Sequence, residues 1–279
     1  MITRRLFLAG LFAAGAGAAL QYARALEPSW LELQRHRLVL GSGGKPPLRL
    51  LQLGDLHYSA DTSIEHIDEA ITLGLAQAPD LIALVGDYIS RRPPDAQRLV
   101  ESLRRLSSSA PTFAVMGNHD GGQWVAQFGG YHDSAPMQDL LRQAGISILH
   151  NAATEFELGR HKLTLVGLGD TWAGECSPLR AFAKPMPEDA PVVVLSHNPD
   201  SKSLLRLQRW DLMLCGHTHG GQVVIPELGW APFAPVEDRR YLAGVRPWGD
   251  RLICVTKGVG SGPALRFNCR PEVTMLEIA

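Results

Sequence analysis

The sequence predicts an α/β fold built on parallel strands. Three observations predict it: five short apolar runs, helical patterns between the first three of them, and a chain long enough for one large core. The runs are Leu48–Leu53, residues 81–85, residues 113–116, Val192–Leu195 and residues 212–214. Runs of this length, rich in Val, Ile and Leu and followed by a turn signal, read as buried strands. Strand, helix, strand, helix, strand is a βαβαβ unit, which makes its strands parallel.

The elements follow in order. Residues 1–25 are set apart from the fold. Arg4-Arg5 precedes the apolar stretch 6–20, and Ala23-Arg24-Ala25 places small residues at the spacing of a signal-peptidase site. This pattern reads as an export signal, and the paired arginines before Leu6-Phe7-Leu8 resemble the twin-arginine signal of bacteria. A plain membrane anchor is the alternative, although an apolar stretch of about 15 residues is short for a span. In both cases the arginines stay inside and the rest of the chain lies outside.

The remaining 254 residues (279 minus 25), 26–279, suit one domain. Removing Arg4, Arg5 and Arg24 takes the net charge from −1 to −4. That leaves no basic surplus for nucleic acid. Cys176, Cys215, Cys254 and Cys269 form no CxxC pair, and their spacing assigns no disulfide. Cys215 and Cys254 lie in apolar runs and read as buried free thiols.

Residues 28–40 alternate in part, through Leu31, Leu33, Leu38 and Leu40, and read as an edge strand or hairpin arm. Gly41-Ser42-Gly43-Gly44-Lys45-Pro46-Pro47 is a loop. Thr62 with Glu65 predicts a capping box, and Ile64, Ile67, Ile71 and Leu75 predict the inner face of a helix ending near Pro79. Pro93-Pro94-Asp95 opens a second helix with Leu99, Leu103 and Leu106 inward. Residues 121–134, with two Gly-Gly pairs and Trp124, Phe128 and Tyr131, read as a loop near the site. Pro136 starts a short helix that Gly145 stops. Residues 156–168 turn at Gly159-Arg160 as a hairpin. A short helix is expected near residues 204–208. Strands are expected at residues 223–225, 252–255 and 273–278, so that the second half forms a mostly antiparallel sheet closing over the first.

Each of the five runs ends in residues that bind metals: Asp55 and His57, Asp87, Asn118 with His119 and Asp120, His197, and His217 with His219. Ligands gather at the carboxyl ends of strands in open α/β sheets. Asp55 and His57 are two apart, so both side chains point the same way at a strand end. Carboxylate, amide and imidazole together make an oxygen and nitrogen site for Mn, Fe or Zn. Seven donors with Asp87 bridging give four per metal and leave positions for water and substrate. Two such ions clamp the attacking and leaving oxygens of a phosphoryl displacement, with metal-held hydroxide as the attacking group. His119, next to a ligand, is expected to protonate the leaving oxygen, and Asp120 to orient that imidazole. A lone Gly-Asp after a strand is usually a turn; five such ends in order are not. His36, His66, His132, His150 and His161 fall outside the pattern and read as surface or structural residues, with His132 in the aromatic loop held in reserve.

Gly54-Asp55-Leu56-His57, Gly86-Asp87, Gly117-Asn118-His119-Asp120, Ser196-His197 and Gly216-His217-Thr218-His219 resemble, in that order, the calcineurin-like metallophosphoesterase family. The resemblance spans about residues 48–279. It implies a four-layer αββα sandwich of two facing mixed sheets flanked by helices, and a dinuclear centre. It implies Asp55, His57, Asp87 and His219 on one metal and Asp87, Asn118, His197 and His217 on the other. Gly220-Gly221-Gln222 and the segment Arg266-Phe267-Asn268-Cys269-Arg270-Pro271-Glu272 resemble that family's exported bacterial phosphodiesterase branch. Lys257-Gly258-Val259-Gly260 lies where that branch usually has Arg, which keeps the charge but loses a bidentate phosphate contact.

The function expected is therefore a phosphodiesterase dependent on two divalent metals, exported by the twin-arginine machinery to the periplasm or the outer face of the inner membrane. Its expected substrate is a lipid-linked or other cell-envelope phosphodiester, with the membrane as a possible partner. Trp230 and Phe233, among the prolines of residues 226–235, read either as an apolar lip or as a core-packing loop. The alternative activity is hydrolysis of UDP-2,3-diacylglucosamine at its pyrophosphate. A non-catalytic metal-binding protein on the same scaffold would be expected to lack ligands, and none is lacking.

Overall fold

A computed structural model describes residues 15–40 and 47–279. The twin-arginine pair and the loop over residues 41–46 lie outside the described residues. Strands β1 (Glu32–Leu38), β2 (Leu48–Leu53), β3 (Leu81–Leu84), β4 (Thr112–Ala114), β5 (Ser147–Ile148) and, from the chain's end, β12 (Glu272–Ile278) form one six-stranded sheet in the order β1-β12-β2-β3-β4-β5. Strands β6 (Ala152–Leu158), β7 (His161–Gly167), β8 (Val192–Leu195), β9 (Leu212–Cys215), β10 (Gly244–Trp248) and β11 (Arg251–Val255) form the other, in the order β10-β11-β9-β8-β7-β6.

Period-two alternation explains why the sheets stack. On β8, Val193 and Leu195 face the interior between the sheets, while Val192 and Val194 face the outer layer. On β9, Leu212 and Leu214 point inward and Met213 and Cys215 outward. On β3, Leu81 and Ala83 point inward and Ile82 and Leu84 outward. Strands buried on both faces must be apolar throughout, and these are. Gln52 shares the inward face of β2, and its amide donates across the gap to the Cys215 carbonyl at 2.8 Å.

Helices α1 (Ile64–Leu75), α2 (Ala96–Ser107), the single turn α3 (Gln123–Ala126) and α4 (Ala135–Gln143) lie in the first half. Ile67 and Ile71 of α1, Leu99 and Leu103 of α2 and Leu141 of α4 pack in one cluster with the outer face of the first sheet. The short helix α5 (Pro178–Ala181) and the 3-10 turn Pro199–Leu205 cover the second sheet through Ala181 and Leu205. The result is the four-layer αββα sandwich of two mixed sheets.

The predicted βαβαβ unit is present, with β2, β3 and β4 parallel. The second sheet corrects the expectation of a mostly antiparallel arrangement: β7, β8, β9 and β11 are parallel, and only the edge strands β6 and β10 run against their neighbours. Ser63, not Thr62, caps α1, accepting the His66 amide at 3.3 Å. Thr62 is instead buried and donates to the Ser261 carbonyl. Residues 223–225 make isolated bridges rather than a strand, and the expected helix near 204–208 is the 3-10 turn just before it. All four cysteines are free, with Cys215 and Cys254 buried. Among the described residues no helix is long and apolar enough to cross a membrane.

Candidate metal centre

The seven predicted ligands all follow strand ends, and all are buried: Asp55 and His57 after β2, Asp87 after β3, Asn118 after β4, His197 after β8, and His217 and His219 after β9. Of the ten non-glycine residues with positive φ among the described residues, five are Asp55, His57, Asp87, His217 and His219, at 49 to 69°. Such backbone costs about 1–3 kcal/mol per residue and persists where surrounding structure holds it. Here the turns hold one another. The Asp55 and His57 amides donate to the Gly86 and Asp87 carbonyls at 2.9 and 3.0 Å. The His217 amide donates to both Asp55 carboxylate oxygens at 2.9 and 3.1 Å. Gly86, at φ 90°, must be glycine twice over, because a Cβ there would stand 2.6 Å from the Gly117 nitrogen.

The donor atoms meet at ligand-to-ligand distances. His57 Nε2 is 3.1 Å from His219 Nε2, and His219 Nε2 is 3.5 Å from Asp55 Oδ1. His197 Nε2 is 3.2 Å from His217 Nδ1. Asp87 Oδ2 reaches both groups, 3.5 Å from His57 Nε2 and 3.2 Å from His197 Nε2. Two donors each about 2.1 Å from one ion stand roughly 3.0–3.4 Å apart, so the spacing is that of shared ligation. The alternative, imidazole hydrogen bonding to imidazole, leaves the Asn118 Oδ1 buried without a partner. A cation would satisfy that oxygen. The residues therefore fit divalent metal.

Electrostatics agree. Burial pushes His57 and His217 down to about 3, keeping both imidazoles neutral, the form that binds metal. Burial, with Asp87 nearby, raises Asp55 to about 7; crowded buried carboxylates want a cation. His197 donates from Nδ1 to the Val85 carbonyl at 2.8 Å, which aims Nε2 at the centre. Burial opposes its charge, but Asp87 at 3.2 Å outweighs burial and raises this imidazole well above its ordinary value, so a metal bound there would displace a proton.

His119 is half-buried beside the ligands, its ring 4.7 Å from that of His57. The expectation that Asp120 orients it is corrected. The Asp120 carboxylate is wholly taken up by the amides of Asp87, Tyr88 and Gly117, each at 2.8 Å, and so locks the β3 turn to the β4 turn. The Ser90 carbonyl orients His119 instead, accepting from Nδ1 at 2.8 Å and leaving Nε2 free. Sequence reading also missed Asp170 and Trp172. Leu168-Gly169-Asp170 after β7 carries the same strand-end signal as the other turns. The buried Asp170 accepts the Trp172 and Ala173 amides at 2.7 and 2.8 Å, and the Trp172 ring packs edge-on against His217 at 4.6 Å. Lys257 does not reach the site; it pairs with Glu32 and Glu272. His36, His66, His132, His150 and His161 join none of the candidate clusters among the described residues.

A cleft of about 480 Å³ opens over His119, with Trp124, Trp172, Phe233 and Leu265 as apolar walls and Asp87 and Asn118 at its floor. Imidazoles and carboxylates held at ligation distance beneath an open cleft define a metal-dependent hydrolase. The chain belongs to the calcineurin-like phosphoesterase family, whose sequence profile matches residues 48–221, and is a phosphoester hydrolase. It is 45% identical over 280 residues to phosphodiesterase YaeI of Escherichia coli K12, covering 100% of both chains. It is 29% identical to the uncharacterized metallophosphoesterase YkuE of Bacillus subtilis, over 99% of this chain and 98% of that one. It is 27% identical to UDP-2,3-diacylglucosamine pyrophosphatase LpxG of Chlamydia muridarum, over 91% of each.

Proposed function

We propose that the protein is a phosphodiesterase dependent on two divalent metals, acting on a lipid-linked or other cell-envelope phosphodiester at the outer face of the inner membrane. The observation that carries the dinuclear reading is Asp87 Oδ2, within 3.5 Å of His57 Nε2 and 3.2 Å of His197 Nε2, one carboxylate oxygen between two donor groups. Asp55, His57, Asp87 and His219 would hold one ion, and Asp87, Asn118, His197 and His217 the other. Bound there, the ions supply Lewis acidity to the phosphoryl group and acidify water.

The chain supplies the rest. His119, fixed through Nδ1 by Ser90, presents Nε2 to the cleft as the proton donor for the leaving oxygen. Trp124 and Trp172 give the cleft one apolar wall. Preference for a diester is supported by the 45% identity to YaeI. A lipid-linked substrate is supported by the exposed apolar side chains of the loop whose Phe233 lines the cleft, Leu228 at 74%, Trp230 at 52% and Phe233 at 73%; their exposure argues against a core-packing role for that loop. Export is supported by Arg4-Arg5 and the apolar stretch after them.

A second reading, cleavage of the pyrophosphate of UDP-2,3-diacylglucosamine, is supported by the likeness to LpxG. The test is hydrolysis of bis(p-nitrophenyl) phosphate against p-nitrophenyl phosphate by the metal-stripped full chain, with and without Mn²⁺. Mn²⁺-restored cleavage of the diester is the expected result. Preference for the monoester would make it a phosphatase. Two bound metals with neither ester cleaved would favour the pyrophosphate reading.

A further inference from the structure

We propose that residues 22–27, directly after the apolar N-terminal stretch, brace the metal centre, with Glu27 as the positioning residue for the turns that carry His219 and Asp55. The inference rests on the metal-centre reading. Glu27 is a carboxylate only 1% exposed. A buried carboxylate is costly unless hydrogen-bonded, and this one accepts the backbone amides of Asn268, at 2.9 Å, and Cys269. Two more contacts fix the same strip. The Arg266 amide donates to the Ala23 carbonyl at 2.8 Å, and the Tyr22 ring meets that of Phe267 edge-on at 6.3 Å.

The other side of the strip supports the ligands. The Cys269 thiol donates to the His219 carbonyl at 3.1 Å. His219 has φ 50°, so its peptide needs a hold from outside its own turn. The buried Arg266 donates to the carbonyls of Lys257, Gly258 and Gly260. That loop is the wall behind Asp55: the Gly260 amide donates to the Asp55 carbonyl at 2.7 Å, and a Cβ on Gly258 would stand 2.5 Å from the Asp55 Cβ. Residues 22–27 therefore grip residues 266–269 from one face while those residues carry two ligand turns on the other. A cut after Ala25 would spare Glu27 but remove Tyr22 and Ala23, so the brace is complete only while the leader's last residues remain attached.

The test is Mn²⁺ titration of the metal-stripped full chain in detergent micelles, read by calorimetry, alongside thermal unfolding without metal. Glu27→Ala is expected to weaken Mn²⁺ binding at least tenfold, and Glu27→Gln by less, since its amide oxygen still accepts one of the two N–H groups. Cys269→Ala is expected to weaken it too, and the double variant no more than Glu27→Ala alone. Asp80→Ala, which breaks the remote Arg49 pair, is expected to lower the melting temperature with Mn²⁺ affinity unchanged. Wild-type affinity in Glu27→Ala, or an equal loss in Asp80→Ala, would overturn the brace. Should Glu27→Ala not fold, Glu27→Gln and Cys269→Ala decide, and affinities within twofold of wild type in both would overturn it. A wild type that takes up no Mn²⁺ would remove the metal-centre reading and the brace with it.

Discussion

The backbone amide of His119 donates to Oδ1 of Asp87 at 2.8 Å, which turns Oδ2 of the same carboxylate toward His57 and His197. The aim of the bridging oxygen is thus set by the residue that also faces the cleft. Backbone, not side chain, does the aiming, so the two roles separate by mutation.

Asp87→Asn places an amide, with one donor end, where both ligand groups converge. Metal content by mass spectrometry is expected to fall below one ion per chain. Turnover is expected to fall on the order of 10³-fold, about 4 kcal/mol of barrier. The metal-free variant is expected to melt no higher than wild type, because the neighbouring imidazoles, His197 first, outweigh burial and hold the Asp87 carboxylate well below its ordinary range, a pairing that Asn gives up. Two ions per chain in the variant would mean that Asp87 does not bridge.

His119→Ala keeps the amide and loses the imidazole. Metal content is expected to stay at the wild-type level while kcat falls about 10²–10⁴-fold, the range for losing one positioned acid, with little change in KM. Loss of metal together with activity would make His119 a ligand, a role its place beside His57 and Asp87 also permits geometrically.

Much of this was legible in the sequence because the same local grammar repeats: an apolar run for a strand buried on both faces, then a glycine and a donor residue. That grammar located β2, β3, β4, β8 and β9 and all seven candidate ligands. It did not show which way a side chain turns after the strand stops, so the orienting role expected of Asp120 gives way to a structural one. Nor did it order the second sheet, since parallel pairing of β7, β8, β9 and β11 depends on crossovers between distant segments. Strand β10 was invisible because Gly244, Arg246 and Pro247 lack strand character, and tolerance of proline is an edge-strand property. Glu27 gave no signal at all: its partners are amides some 240 residues away.

Gly216→Ala would put a Cβ 2.3 Å from Asp55 Oδ2. The Asp55 carboxylate is already held by the His217 amide, so it has nowhere to move without releasing a ligand turn. The expected cost is about 1–3 kcal/mol of stability, the range for overpacking, with metal affinity reduced as well. Chemical denaturation and metal analysis on the same sample check both parts; unchanged metal affinity would show that the Asp55 turn can relax.

Metal should also stabilise the wild-type fold by mass action. At about a hundredfold excess over Kd, binding contributes about 2.7 kcal/mol, which for a chain of this size raises Tm by roughly 5–10 °C. Chelator should remove that increment and Mn²⁺ restore it. Equal melting temperatures in both conditions would mean that the strained turns at Asp55, His57, Asp87, His217 and His219 hold themselves without an ion.

Trp230 and Phe233 stand 52% and 73% exposed, while Ala231 between them is 1% exposed and anchors the loop. Large apolar side chains held out beside a cleft are unusual on a surface that faces only water. Their presence matters for a substrate whose acyl portion would otherwise stay in lipid, and not for one that diffuses freely. Trp230→Ala is therefore expected to lower turnover of a phosphodiester presented in detergent–lipid micelles at least tenfold, chiefly through KM. The same variant should hydrolyse bis(p-nitrophenyl) phosphate within about twofold of wild type, because Trp230 is neither a candidate ligand nor, unlike Phe233, a lining residue of the cleft. Thermal unfolding of the variant guards against a general loss of fold. Equal losses on both substrates would mean that the loop shapes the catalytic cleft itself, and the lipid-facing role would fall.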